Sequence, residues 1–87
     1  MVSNHLKCIQ QHHLPVQEVG ATGLQIGSAP SGPLVEFTST PGIAQGDQIQ
    51  GKAQGAEAIG AALLYPNQGS DDELQTIENC LTKGVKG

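Results

Sequence analysis

The residues able to do chemistry gather at one end of this chain, where His5, Cys8, His12 and His13 fall within nine positions and only Cys80 supplies another thiol. On a helix over residues 3–12, His5, Cys8 and His12 are three and four positions apart and project along one stripe. Imidazole nitrogen and thiolate sulfur are the usual donors to zinc, nickel and copper. His5, Cys8 and His12 are therefore candidate ligands for a divalent transition metal, with Cys80 a further donor if the two ends of the chain meet. The competing account is a solvated helix face that happens to carry histidines. The lack of paired Cys-x2-Cys or His-x3-His spacing favours that account.

Nucleophilic catalysis has less to work with. Cys8 and His12 form the one thiol–imidazole pair visible in sequence, no histidine follows His13, and no Gly-x-Ser-x-Gly elbow occurs. Asp71, Asp72 and Glu73 are explained by the helix they open, whose positive dipole end favours acids. The run Gly27-Ser28-Ala29-Pro30-Ser31-Gly32 continues as Pro33-Leu34, where a phosphate loop requires Lys and Ser or Thr. Gly20-Ala21-Thr22-Gly23 has the spacing of a single-strand clamp but no cation beside it. Both are turns, and no catalytic residue is assigned.

Composition narrows the partners. The chain has 87 residues, no arginine, no tryptophan and four lysines against eight acids, a formal net charge of −4. Phe37 and Tyr65 are its aromatics. Without guanidinium forks, aromatic faces or a cationic field, neither nucleic acid nor an anionic membrane is expected to bind. No apolar run is long enough for a signal peptide or a membrane span. With just two cysteines, a cytoplasmic protein with reduced thiols is the expectation; a Cys8–Cys80 bridge would require the terminal helices to lie side by side. Twelve glycines and a core of Ala, Leu, Ile and Val imply a small core in one domain, residues 1–87.

The elements that would position these residues follow from periodicity. Val2, Leu6, Ile9 and His13 recur at helical spacing, Ser3 or Asn4 can cap, and Pro15 closes the segment. Extended runs at 14–19 and 24–27 flank the turn at 20–23 and predict a hairpin; a third strand is expected over 34–40. Between Pro41 and Pro66 the signals conflict. Five glycines oppose a helix, yet Ile49, Ala53, Ala56, Ile59 and Leu63 share a 3.6-residue face, and Asp47 with Gln50 can cap it. A helix over 48–64 is the expectation, with a fourth strand at its glycine-rich start as the alternative.

The Ser70-Asp71-Asp72-Glu73 capping box predicts a last helix over 71–83, with Leu74, Ile77, Leu81 and Val85 as its stripe and Gly84 at its end. Folding back on the preceding helix, it completes an α+β domain in the order α-β-β-β-α-α: an N-terminal helix, a three-stranded antiparallel sheet and a C-terminal helical hairpin, all helices on one face. Gly51, Gly55, Ala58 and Ala62 would then line a small-residue strip open to close approach by another backbone. The function expected is a non-enzymatic, self-associating protein-interaction or regulatory module. Two alternatives stand beside it: a small metal-binding protein using the His/Cys helix face, and an enzyme subunit whose active site is shared across a dimer.

Overall fold

A computed structural model describes residues 2–51 and 53–83, the side chain of Ser3 excepted. Val85 and Gly84, expected to extend and end the last helix, lie outside the described residues. The element order is α1 (Val2–Gln11), β1 (Val16–Val19), β2 (Gly23–Ile26), β3 (Leu34–Phe37), α2 (Pro41–Ile49), β4 (Glu57–Ile59), β5 (Ala62–Tyr65) and α3 (Asp71–Thr82). Over the described residues the protein is an α+β fold with three helices and an antiparallel sheet of five strands in the order β1-β2-β3-β5-β4. No helix of the described residues is long and apolar enough to cross a membrane.

The first half follows the sequence expectation with small shifts of boundary. α1 begins at Val2, so Ser3 and Asn4 lie inside it rather than capping it. The chain leaves α1 through His13, held at φ 64°. β1 and β2 form the expected hairpin, with Val16 opposite Ile26 and Val19 opposite Gly23. The third strand stops at Phe37.

The second half differs. The helix over 48–64 is absent, and with it the helical hairpin and the three-stranded count. Gly51, Gly55 and Gly60 have φ of +77°, +80° and +58°, a left-handed backbone that breaks a helix at each position. The helix of this region, α2, starts earlier. Thr40 caps it by accepting a hydrogen bond from the Ile43 N–H at 3.2 Å, and Pro41 occupies the first turn, where its missing N–H is no loss. The alternative of a strand at the glycine-rich start is overturned by the same cap. Downstream, Gly60 and Ala61 make a two-residue turn that pairs Ile59 with Ala62, and β5 then pairs with β3 across Leu34–Tyr65.

Alternation along the strands builds two cores. Leu24, Ile26, Val35, Phe37, Ala62 and Leu64 face α1 and α3, which bury Ile9, Ile77, Cys80 and Leu81 against them. Leu63 points the other way and joins Ala44 of α2, Ala53 and Ala56 in a smaller cluster. The helices thus cover both faces of the sheet, correcting the one-face expectation. Gln25 lies on the second face at 6% exposure. Its side-chain amide donates toward the carbonyls of Ile26, Gly32 and Pro33 at 3.0, 3.1 and 3.2 Å, tying the 27–33 loop to the sheet. That loop closes tightly enough that a Cβ on Gly32 would collide with the Ile26 carbonyl oxygen.

At α3 the capping box is complete: the Glu73 N–H donates to Ser70 Oγ at 3.2 Å and the Ser70 N–H donates to Glu73 Oε1 at 2.9 Å. Ser70→Ala should lower stability by about 1 kcal/mol, the usual cost of losing an N-cap serine. Urea unfolding of the two proteins side by side measures it; a loss under about 0.3 kcal/mol would mean that the cap does not hold α3.

Candidate functional site

The structure draws the two ends of the chain together. α1 and α3 pack side by side because the stripe of Leu6 and Ile9 and that of Ile77 and Leu81 both seek the same sheet face. Cys8 and Cys80 meet between them, Cα atoms 5.7 Å apart, joined as a disulfide across 72 residues of sequence. The reduced thiols expected from the sequence are corrected by this bond. Cys80 is buried and Cys8 half-buried.

Of the three predicted ligands, the structure keeps two together and turns the third away. His12, just past the end of α1, is exposed, and one of its ring nitrogens lies with Cys8 Sγ and Cys80 Sγ in a group whose atoms are all within 4.8 Å of one another. Its Nδ1 is 2.9 Å from the Cys8 carbonyl oxygen. A carbonyl can accept only, so Nδ1 carries a proton, and in the neutral ring the lone pair lies on Nε2. His5 is committed elsewhere. Its Nδ1 donates to the Cys80 carbonyl oxygen at 3.1 Å, and its ring stacks on Phe37 with centroids 5.2 Å apart and planes 17° from parallel. It fixes the backbone that carries Cys80 and is not a member of the donor group. Cys80, a conditional donor in sequence, takes its place.

The proposed small-residue strip is not formed. Gly51 and Gly55 sit on exposed turns where an added Cβ would meet nothing within 4 Å. Ala58 of β4 pairs with Leu63 and faces the smaller core, while Ala62 of β5 faces the main one. These four residues share no surface, because strand geometry sends neighbours to opposite faces where a helix would have aligned them.

Two other features carry acidic groups. A cavity of about 290 Å³ lies between the 27–33 loop and the start of α3, and Glu73, already bound in the capping box, is its titratable side chain. Glu57 of β4 faces Glu78 of α3. A hydrogen bond shared with Glu78, burial and the negative charge of Glu78, in that order, raise the Glu57 pKa above the ordinary 4.5. Comparisons with protein families, with curated proteins and with solved structures returned no match.

Cys80→Ser removes the constraint on a 72-residue span and should cost about 4 kcal/mol in the chain-entropy account, read as a fall in the urea midpoint under oxidising conditions. Adding reductant should then lower the wild-type midpoint and leave the variant unmoved. For Glu57, the raised folded-state pKa means the fold holds the proton more tightly than the unfolded chain does. The favourable contribution is present at low pH and is lost as pH rises through the folded-state value. Glu57→Gln should accordingly stabilise the protein by about 0.2–0.5 kcal/mol near pH 7, a small effect because water screens the pair, and by nothing near about pH 3.5. Equal effects at both values would show that Glu78 does not act on this carboxyl.

Proposed function

We propose that this chain is a non-enzymatic interaction module that self-associates through the free edge of β1. The observation that supports this reading is the hydrogen-bond parity of the edge strand. The Gly27 N–H donates to the Pro15 carbonyl at 2.8 Å, and in the antiparallel register that pairs Val16 with Ile26, the odd-numbered residues of β1 bond to β2. Val16 and Glu18 therefore turn their backbone N–H and C=O groups away from the sheet. β1 is the terminal strand on that side, and Gln17, Glu18 and Val19 are all exposed. An unpaired row of this kind is a template for another strand.

A second copy of β1 fits it in one favourable antiparallel register, with Gln17 opposite its own equivalent on a two-fold axis. Val16 of each chain then faces Glu18 of the other, about four backbone hydrogen bonds form, and no Glu faces a Glu. Val19, 45% exposed, meets Pro15 of the second copy. The small-residue surface at residues 51–62 has no part in this assembly. Cytoplasmic residence, also expected from the sequence, belongs to the same proposal.

Glu18→Pro tests the reading. It deletes an N–H that points outward, so the edge strand tolerates it within the monomer while a partner strand loses a donor. Sedimentation should show a wild-type dimer and a variant monomer with the same circular dichroism. A wild-type protein that stays monomeric at high micromolar concentration removes the proposal.

A further inference from the structure

The disulfide and the imidazole beside it form a donor set that bridging alone does not require. We infer that reduction of the Cys8–Cys80 bond opens a zinc site made by the two thiolates and His12, and that the oxidation state of the pair decides whether metal is held. Three observations carry this. The sulfurs of Cys8 and Cys80 and a ring nitrogen of His12 all lie within 4.8 Å of one another. A tetrahedral zinc with these ligands keeps its donor atoms about 3.5–3.8 Å apart, so the triad needs side-chain rotation rather than a new backbone. The Cα separation of 5.7 Å leaves the two sulfurs room to swing apart.

The surroundings hold the donors ready. His12 donates Nδ1–H to the Cys8 carbonyl, which selects the tautomer with its lone pair on Nε2 and orients the ring as backbone carbonyls orient metal-binding histidines. His5, through its hydrogen bond to the Cys80 carbonyl and its stack on Phe37, steadies the α3 side of the site. Two thiolates and one neutral imidazole neutralise a divalent ion, and water completes the fourth position. The exposure of His12 and the partial exposure of Cys8 give reductant and metal a way in.

The steps balance. A small dithiol reductant transfers two electrons and two protons to the Cys8–Cys80 bond, which breaks to two thiols as the reductant closes to its own cyclic disulfide. Zinc then displaces both thiol protons to solvent, forming two Zn–S bonds, and accepts the Nε2 lone pair without loss of a proton. A small-molecule disulfide reverses this by thiol–disulfide exchange: it takes two electrons from the thiolates and two protons from solvent to leave as two thiols, the Cys8–Cys80 bond re-forms, and the ion loses both sulfur ligands and is released.

The test uses the whole chain, reduced under anaerobic conditions, freed of the reductant and mixed with zinc. Native mass spectrometry should show one zinc per chain for the reduced protein and none for the disulfide form. Cobalt in place of zinc should give thiolate-to-metal charge-transfer absorption with the visible bands of a tetrahedral ion. His12→Ala should weaken zinc binding by at least about tenfold. If reduction unfolds the chain, zinc must restore its circular dichroism, as metal ligands fold small domains elsewhere. A reduced chain that takes up no zinc at micromolar concentration overturns the inference. So does an affinity indifferent to His12, or a reduced chain that zinc fails to refold.

Discussion

The close packing of α1 on α3 is the constraint on which the rest of this molecule depends. Ile9, Ile77 and Leu81 are buried completely or nearly so only because both helices lie on the same sheet face, and each such side chain contributes about 1.5–3 kcal/mol by leaving water. α1 is ten residues long, below the length at which an isolated helix persists in water. Its stability is therefore tertiary. The Cys8–Cys80 bond ties that association covalently by linking segments that loop entropy would otherwise separate.

The opposite face of the sheet is built more thinly. Ala44, Ala53, Ala56 and Leu63 make up its buried cluster, and alanine removes little apolar area from water. Ile43 and Ile49 on α2 stay exposed, Ile49 at 84%. Three left-handed glycines between α2 and the β4–β5 turn add entropic cost to the same region. The two sides of the sheet thus differ in kind: one is covalently clamped and densely apolar, the other is held by small side chains and hydrogen bonds.

Chemistry concentrates on the clamped side. The backbone carbonyls of Cys8 and Cys80 each accept from a histidine, so the two sulfur-bearing residues are held in place by the two imidazoles that flank Cys8 in sequence. The difference between His5 and His12 lies in what else each ring touches. Phe37 captures the first, and solvent leaves the second free.

How much of this was legible beforehand depended on whether a feature is local. The capping box at Ser70–Glu73 and the hairpin around residues 20–22 were readable because each is closed by residues within four positions, and backbone sterics act at that range. Residues 48–64 misled because Ile49, Ala53, Ala56, Ile59 and Leu63 satisfy a helical period by coincidence, and a short apolar strand such as Ala62–Tyr65 looks the same in sequence as a buried helical turn. Thr40-Pro41 is the available signal for α2, a cap followed by proline, but the same pair suits the end of an extended run. His5, Cys8 and His12 could be named as donors from helix spacing alone. Which of them join Cys80 could not, since partners 72 positions apart are chosen by the packing of two amphipathic faces on one sheet, a global minimisation of exposed apolar area that no local pattern encodes.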